Sequence, residues 1–398
     1  WHFNVSSNVW TWVNGSNKAN AFNTGTLQNT PPATSMPGAR SNACGWTDAS
    51  GNFWLFGGTG LDYVGTFGYL NDMWTINSST GEATWIAGSH TANSAASNGV
   101  TGVLDTPGAR SSAACWKDHN GKFWLFGGWS INAAGTGVAL NDLWMFDPTD
   151  LPAGKWTLEG GSPTATNVAG LYGTQGTGST TNLPGARVGA QGWTDGSGIL
   201  WLFGGSGYDS AGTGGIMNDM WSFNTATKSW TWVAGSKTVA GGVAAVYGTE
   251  RIAAEGNTPG SRLGSIGWTD ASGNLWLFGG GGYGSSGAVN GSAIGGAMND
   301  LWSFIFVTDP TTGTVTGKWA LMSNPATIPP GVAPYGLGIY AMQGSPSVTS
   351  TPGARVWSAG WAAGDTLWLF GGAGEDTSGV TGDLNDLWNV NLIVQPQP

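Results

Sequence analysis

Short apolar runs recur along this chain, each ending in a pair of glycines and each flanked by polar turn residues. The first of these runs is N-F-W-L-F-G-G, at residues 52–58. Its counterparts are at residues 122–128, 200–205, 275–280 and 367–372. A short apolar run bounded by turn residues is typical of a β-strand buried on both faces. Because no stretch has a convincing helical period, the pattern predicts an all-β chain.

Each apolar run has fixed neighbours, so the chain is a series of repeats. A P-G-A-R or P-G-S-R motif precedes it, and an N-D-L-W or N-D-M-W motif follows it. The five repeats begin at Pro37, Pro107, Pro184, Pro259 and Pro352. In the first repeat, strands are predicted at residues 40–46, 52–58, 71–76 and 84–86. Four antiparallel strands per repeat, arranged radially, make a β-propeller.

The paired glycines after the second strand, the N-D-L-W of the third and the Trp of the fourth resemble the kelch repeat family. The resemblance extends from Trp10 to Trp388 and is strongest to the long-loop kelch repeats of exported bacterial proteins. It implies a propeller of four-stranded antiparallel blades. The repeats of this chain are longer and fewer than is usual in that family.

The two ends of the chain suggest how the propeller closes. The last repeat stops after its third strand, whereas residues 11–13 match the fourth strand at residues 231–233. We therefore expect residues 1–36 to complete the last blade, so that residues 1–398 form a single five-bladed propeller. The first four residues, W-H-F-N, resemble a third strand, which indicates a cleaved or longer precursor.

Composition narrows the function classes. Only 9% of residues are charged, yet the chain has 25 Trp, so it folds rather than remaining disordered. With 13 Lys plus Arg and a net charge of −10, it lacks the basic surface that nucleic acid requires. No apolar stretch reaches the roughly 20 residues of a membrane-spanning helix. The Lys-poor, acidic composition favours an extracellular or cell-surface protein.

Residues that occur in every repeat are expected to support the blades rather than bind a ligand. The arginine forks are predicted to tie strand backbones, and the aspartates to cap the third strand. These residues are Arg40, Arg110, Arg187, Arg262 and Arg355, with Asp72, Asp142, Asp219, Asp300 and Asp386. The repeated Trp residues are expected to pack between blades.

The two cysteines differ in register. Cys44 lies four residues after Arg40, and Cys115 lies five after Arg110. Because side chains alternate across a strand, the two thiols point to opposite faces of equivalent strands in neighbouring blades. A blade-to-blade disulfide is geometrically allowed, and two small buried thiols are the alternative.

Binding is expected where the repeats differ, in the connections from strand two to three and from strand four to one. Both are predicted to be long and to lie on the same side, as at residues 207–217 and 234–259. The candidate ligand-binding residues are Trp129, Trp357, Tyr63, Tyr69, Tyr208, Tyr283, Asp209 and Asp376. Aromatic faces among polar groups suit sugar stacking. The alternative is that these aromatics only pin the loops.

The sequence assigns no catalytic residue, metal site or cofactor. Its three histidines, His2, His90 and His119, are too scattered for a shared metal or a catalytic triad. The Cys–Tyr copper site of some kelch-like oxidases has no counterpart here, because both cysteines lie in inner strands. Five loop carboxylates offer Ca²⁺ ligands, without the spacing of a calcium loop. They are Asp62, Asp209, Glu375, Asp376 and Asp383.

Three functions remain open. The leading hypothesis is a non-catalytic extracellular propeller that recognises a glycan or a cell-surface or matrix protein. The second is a structural protein whose propellers self-assemble, with residues 1–4 as a spare strand. The third is an enzyme with a loop-borne site, galactose-oxidase-like or glycan-acting.

Overall fold

Antiparallel strands provide all the regular secondary structure in the described part of the chain, and no helix occurs there. The all-β prediction is thus confirmed. The computed structural model describes residues 1–4, 6–7, 9–22, 36–97, 105–150, 154–239, 241–285, 287–288, 296–308, 315–323, 336–347 and 350–391. They divide into two compact bodies, Trp1–Asn167 and Val168–Pro398. Within these ranges no helix is long and apolar enough to cross a membrane.

The N-terminal body holds a small hairpin and the sheets of repeats one and two. Its strands are β1 (His2–Asn4), β2 (Val9–Thr11), β3 (Arg40–Ser41), β4 (Cys44–Thr47), β5 (Phe53–Leu61), β6 (Phe67–Ile76), β7 (Ala83–Ala87), β8 (Ala114–Lys117), β9 (Phe123–Ile131), β10 (Gly137–Asp147) and β11 (Lys155–Gly160). Both repeats are antiparallel meanders, β3/β4-β5-β6-β7 and β8-β9-β10-β11. The order matches the four strands predicted for each repeat.

The C-terminal body holds repeats three, four and five. Its strands are β12 (Arg187–Val188), β13 (Gln191–Thr194), β14 (Leu200–Phe203), β15 (Ser206–Tyr208), β16 (Gly214–Ile216), β17 (Met220–Asn224), β18 (Ser229–Ala234), β19 (Arg262–Leu263), β20 (Ile266–Thr269), β21 (Leu275–Gly284), β22 (Gly287–Ala288), β23 (Gly296–Thr308), β24 (Val315–Ser323), β25 (Arg355–Val356), β26 (Ala359–Ala363), β27 (Thr366–Glu375) and β28 (Thr381–Asn391). The meander recurs in each repeat, and in repeat five it ends at β28 among the described residues.

In repeats one, two, four and five the second strand continues through the paired glycines, contrary to the sequence prediction, whereas in repeat three β14 ends at Phe203, directly before them. In repeat one, Gly57 and Gly58 have φ of 66° and 96°, and the register of β5 against β6 shifts there. Glycine takes this conformation without a steric penalty, so it forms a bulge and the ladder continues to Leu61. In repeats one, two, three and five, strands two and three meet at a tight hairpin, and the prediction of a long loop between them is wrong there. The corresponding connection of repeat four lies partly outside the described residues.

The N-terminal strand β2 pairs with β1 in a local hairpin, and the predicted pairing of residues 11–13 with the last repeat stays a prediction. Val9–Thr11 is hydrogen-bonded to His2–Asn4, and the Asn4 side chain accepts the backbone N–H groups of Ser6 and Ser7 in the turn. A local hairpin closes a far shorter loop than pairing with the last repeat would. No described sheet is closed, so the structure does not show propeller closure.

Neighbouring sheets pack face to face through aromatic side chains. In the N-terminal body, Trp46 stacks on Phe123 with ring centroids 5.2 Å apart, and its indole N–H donates to the Trp116 carbonyl. In the C-terminal body the Trp193 indole donates in the same way to the Trp276 carbonyl of the next repeat. Trp46 and Trp193 are thus core residues that join adjacent sheets.

Candidate functional site

An arginine, an aspartate and a tryptophan form the same cluster in every repeat. In repeat three, the Arg187 guanidinium forks onto the Asp219 carboxylate and also donates to the carbonyls of Gly185 and Gly204. The Trp221 indole N–H donates to the same carboxylate at 2.7 Å. The equivalent clusters are Arg40, Asp72 and Trp74; Arg110, Asp142 and Trp144; Arg262, Asp300 and Trp302; and Arg355, Asp386 and Trp388.

These clusters tie three parts of each repeat together. The arginine lies at the start of strand one, the glycine carbonyl lies after the apolar run of strand two, and the aspartate begins the core part of strand three. The shortest Arg–Asp contacts are 2.5 to 2.8 Å in all five repeats. Buried charges need such complete pairing. The arginines therefore tie strand backbones together, as predicted. The sequence prediction did not include their ion pairs with the aspartates.

A second repeated aspartate closes the turn between strands one and two. Asp195 Oδ1 accepts the backbone N–H groups of Ser197 and Ile199, and its Oδ2 accepts the Trp201 indole N–H. Asp48, Asp118 and Asp270 make the same contacts in repeats one, two and four. Repeat five instead joins these strands by a shorter turn, with Ala363 paired to Thr366.

The loop carboxylates Asp209 and Asp376 lie at the hairpin between strands two and three. Asp209 Oδ1 accepts the N–H groups of Ala211 and Thr213, and its Oδ2 accepts that of Val239 in the connection to repeat four. Burial raises the pKa of Asp209, but these backbone hydrogen bonds outweigh it and lower the pKa. Asp376 accepts two backbone N–H groups in the same turn.

Asp62 has the same arrangement in repeat one as Asp209 in repeat three. Its Oδ1 accepts the N–H groups of Val64 and Thr66, and its Oδ2 accepts that of Ala92. The hairpin from strand two to three therefore touches the connection that follows strand four. The sequence prediction that these two segments lie on the same side of the repeat is confirmed.

The connection before repeats three, four and five places a tyrosine on the Arg–Asp–Trp cluster. The Tyr172 hydroxyl donates to Asp219 at 2.6 Å, and its ring lies 4.7 Å from that of Trp221 and 5.4 Å from that of Trp232. Burial and the adjacent Asp219 carboxylate raise the pKa of Tyr172, so the phenol stays protonated.

Repeats four and five contain the same tyrosine. Tyr247 packs 5.5 Å from Trp302, and burial with the nearby Asp300 carboxylate raises its pKa to about 12. Tyr340 packs 4.8 Å from Trp388 and donates to Asp386. Each tyrosine lies fifteen residues before the arginine of its repeat.

Among the described residues of repeat one, a small pocket lies at this position, here called the first-repeat pocket. The pocket encloses about 10 Å³, room for about one water molecule, and its lining includes Asp72, Trp74 and Trp85. Tyr63 and His90 also line it, with their rings 5.2 Å apart. No tyrosine occurs between Trp1 and Arg40 in the sequence.

An ion pair between Arg40 and Asp72 lines the first-repeat pocket. Arg40 engages both Asp72 oxygens, and the Trp74 indole donates to one of them. Burial lowers the pKa of His90, and the Asp72 carboxylate only partly offsets this, so the imidazole is neutral at pH 7. The His90 ring meets the Trp85 ring edge-on at 3.6 Å. The pocket thus offers aromatic walls and a hydrogen-bond acceptor.

Of the predicted ligand-binding aromatics, Tyr63 is the one that lines this pocket. Tyr69, Tyr208 and Tyr283 lie in the outer parts of their strands and are half-buried. Trp129 lies in β9, 36% exposed. The structure does not bring these residues into one site, and their ligand-binding role stays a prediction.

Trp357 occupies a conformation unusual for a large side chain. Its φ is 59°, and the positions two residues after the other arginines share this left-handed backbone as Asn42, Ser112, Gly189 and Gly264. The indole lies directly against Gly189 and Gly264, where a Cβ would fall within 3 Å of the ring. Trp357 is nevertheless 41% exposed. It is a flat, accessible aromatic face supported by two glycines.

Cys44 and Cys115 form a disulfide between the first strands of repeats one and two, with Cα atoms 6.0 Å apart. In the ranges that the structure covers, no three His, Cys, Asp or Glu side chains are grouped to hold a metal ion. The carboxylates considered for Ca²⁺ include Asp62 and Asp209, and both are engaged by backbone N–H groups.

Sequence reasoning missed the pocket itself. The repeat pattern predicts that Trp85 packs between blades, and it gives His90 no partner. The available signal was the tyrosine found fifteen residues before three of the five arginines and absent before Arg40. Comparison with known proteins adds no assignment, because the chain matches no protein-family model and no curated protein.

Proposed function

We propose that this chain is a non-catalytic extracellular binding protein that recognises a glycan or a protein through the loop side of its sheets. The first-repeat pocket carries the proposal. It combines the aromatic walls of Trp74 and Trp85 with the Asp72 carboxylate, on the side where the connections lie. Ligand sites commonly pair apolar walls with a few fixed polar groups.

The exposed aromatic face of Trp357 supports the same function. It breaks the repeat at a backbone position that favours small residues, and it is accessible. Backbone strain of this kind concentrates at functional sites, because elsewhere a less strained residue is as good. Stacking a sugar ring or an aromatic side chain on this indole would use the face that the two glycines leave open.

For the architecture, we propose a kelch-like β-propeller of five blades. The recurring antiparallel meander supports this, as do the aromatic contacts between adjacent sheets and the same Arg–Asp–Trp cluster in all five repeats. The disulfide between Cys44 and Cys115 supports an extracellular location, because structural disulfides persist in oxidising compartments.

Trp85 provides a direct test of the binding proposal. Trp85→Ala removes a wall of the pocket, and Trp232→Ala is the matched control, since both indoles donate to the carbonyl two residues on. In repeat three, Tyr172 already covers Trp232. On a glycan array and a panel of extracellular proteins, we expect a ligand that wild type and Trp232→Ala bind and Trp85→Ala loses. Equal binding by the two variants would contradict the proposal.

One observation favours a second candidate function, the self-assembling structural protein. Strand β28 is exposed along most of its length and pairs with β27 alone in the described part of the chain. In the N-terminal hairpin and the residues after it, Trp1, Trp10 and Trp12 are 78%, 41% and 51% exposed. An open strand edge and an apolar hairpin are features that support pairing between copies.

A further inference from the structure

Adjacent sheets within each body meet through the same pair of faces. In the N-terminal body, Trp46 and Trp54 of repeat one pack on Phe123 of repeat two, with ring centroids 5.2 and 5.6 Å apart. In the C-terminal body, Trp193 of repeat three and Leu275 of repeat four belong to one core cluster. We call the side of a sheet that carries the first-strand Trp its front face, and the side that receives this Trp its back face.

A glycine in the first strand marks the back face. It lies five residues after the arginine of its repeat. A Cβ added at Gly267 of repeat four would collide with Gln191 and Trp193 of repeat three. A Cβ added at Gly360 of repeat five would lie within 3 Å of Trp268 of repeat four. The front face of one repeat therefore leaves no room for a side chain at this position of the next repeat.

The back face of repeat one is accessible among the described residues. Phe53 is 51% exposed, whereas its four counterparts are at most 1% exposed, and these are Phe123, Leu200, Leu275 and Leu367. Gly45 lies five residues after Arg40 and is exposed. A Cβ added there would meet, within 4 Å, only the Trp54 carbonyl oxygen of its own repeat. Repeat one thus presents an uncovered copy of a surface that is buried in the other repeats.

The front face of repeat five is accessible as well. Trp361, Trp368 and Phe370 are each half-buried, and Ala359 beside them is exposed. The counterparts of the three aromatic residues in the other repeats are at most 9% exposed. They are Trp46, Trp54 and Phe56; Trp116, Trp124 and Phe126; Trp193, Trp201 and Phe203; and Trp268, Trp276 and Phe278. The two accessible faces are therefore the two halves of the contact that joins adjacent repeats.

We propose that the front face of repeat five packs on the back face of repeat one in a second copy of this chain. The inference rests on the second candidate function, self-assembly, and names the surfaces that join the copies. Trp361 of one copy covers Phe53 of the other, as Trp46 covers Phe123 within the chain. Buried aromatic side chains contribute much of the binding energy of protein interfaces.

The geometry of the contact makes the assembly head-to-tail, because the two faces are different surfaces. Each added copy leaves one front face and one back face for further copies, and such contacts build closed rings or open filaments. A propeller closed within one chain would use the same two faces internally. Contact between copies and closure within one chain are distinguished by mixing two variant chains.

The native disulfide shows which two positions to link. Cys44, four residues after the arginine of repeat one, is bonded to Cys115, five residues after the arginine of repeat two, with Cα atoms 6.0 Å apart. Ala359 and Gly45 are the equivalent positions on the front face of repeat five and the back face of repeat one. Both are exposed, so a cysteine at either position leaves the core of the chain intact.

In the linking experiment, a Gly45→Cys chain is mixed with an Ala359→Cys chain and treated with a short bismaleimide. We expect a two-chain product whose peptide map joins residues 45 and 359. Ser378→Cys, in the exposed hairpin of repeat five, replaces Ala359→Cys as the matched control and is expected to give no such product. Equal yields from the two mixtures would overturn the proposal. A double variant, Gly45→Cys with Ala359→Cys, that links only within single chains would overturn it in favour of closure.

A second measurement uses two exposed phenylalanines of repeat one. Phe53→Ser removes the centre of the back face, and Phe67→Ser is the control, since Phe67 is 69% exposed in the hairpin between strands two and three. Sedimentation velocity is expected to show that Phe53→Ser raises the concentration for half-maximal association by about tenfold or more. Phe67→Ser should associate as the unsubstituted chain does. Unchanged association of Phe53→Ser would overturn the proposal.

The outcomes also separate this inference from self-assembly in general. If assemblies form and persist in Phe53→Ser, the inference fails while the self-assembling function stands. If the chain remains monomeric at every concentration, both fail. Ligand binding at the first-repeat pocket is measured independently through Trp85→Ala, so neither result changes the test of the binding function.

Discussion

At the residue scale, the arginine of each repeat forms an ion pair in which the charged groups are fully hydrogen-bonded. Arg187 and Asp219 are almost wholly buried, and every polar atom of the fork meets an oxygen or a donor. A buried ion pair of this kind does not by itself raise stability much. Its removal is costly, however, because the remaining charge has no partner.

We expect Arg187→Ala to lower the free energy of unfolding by about 3–5 kcal/mol, since it leaves the Asp219 carboxylate buried without its partner. Lys122→Ala is the control: its ion pair with Asp147 is about one quarter exposed, and the loss should stay below about 1 kcal/mol. Urea denaturation measures both. Similar losses in the two variants would show that the buried fork has no special structural role.

The Arg–Asp–Trp cluster of repeat five makes the free energy of unfolding depend on pH. Burial raises the pKa of Asp386, but hydrogen bonds from Arg355, Trp388 and Tyr340 outweigh it and lower the pKa to about 2 from 3.8. A carboxyl whose pKa falls on folding stabilises the fold above its unfolded value, and this stabilisation is lost as pH falls from about 4 to about 2.

Asp386→Asn should therefore flatten the dependence of the urea midpoint on pH between about 4 and 2, relative to the unsubstituted chain. The variant is less stable at pH 7, and the difference between the two proteins narrows as the pH falls. Parallel pH profiles would mean that Asp386 does not titrate as its contacts indicate.

Trp357 is predicted to serve binding more than stability. Its left-handed backbone costs about 1–3 kcal/mol for a non-glycine residue, and glycine relieves this cost. We expect the melting temperature of Trp357→Gly to equal or exceed that of the unsubstituted chain, measured by calorimetry. Trp129→Gly, at a strand position, serves as the control and should destabilise. A marked loss of stability in Trp357→Gly would assign its indole to the core.

At the element scale, one aspartate holds the turn between strands one and two in four of the five repeats. The aspartate between strands one and two holds two backbone N–H groups and one indole in four repeats. Repeat five reaches the same strand pairing with a shorter turn and without that aspartate. The meander therefore forms with either of two turns between strands one and two. The longer turn contains the aspartate that accepts the indole N–H.

Asp195→Ala is expected to cost about 1–3 kcal/mol in unfolding free energy, because it leaves the Trp201 indole and turn N–H groups without their acceptor. Asp365→Ala, in the shorter turn of repeat five, should change stability by less than about 0.5 kcal/mol. Denaturant titration of both variants checks this. A neutral Asp195→Ala would indicate that water replaces the carboxylate fully.

At the scale of the whole molecule, the edge of β28 poses the question of assembly. The leading function predicts a monodisperse particle of 40.8 kDa in solution. Light scattering with negative-stain imaging measures this directly. Filaments, sheets or rings would instead favour the structural protein, and removal of residues 1–4 would then test whether the N-terminal hairpin joins the copies.

The repeat pattern predicted much of the fold. Strand order, the all-β class and the core position of the Trp residues follow from local apolar runs and turn residues, which act over a few neighbours. The strand ends were less predictable. A pair of glycines is compatible with both a turn and a bulge, and only hydrogen bonding to β6 decides that β5 continues to Leu61.

The repeated motifs were enough to predict five copies of one antiparallel meander, and that binding lies where the copies differ stays a prediction from them. Three-dimensional packing was needed to show that Arg40 pairs with Asp72, that the two N-terminal strands pair with each other, and that Trp85 and His90 line one pocket. For the Arg40–Asp72 pair the physical reason is separation along the chain. Contacts between residues 32 or more positions apart depend on how the strands pack in three dimensions. The period of apolar residues does not specify that packing.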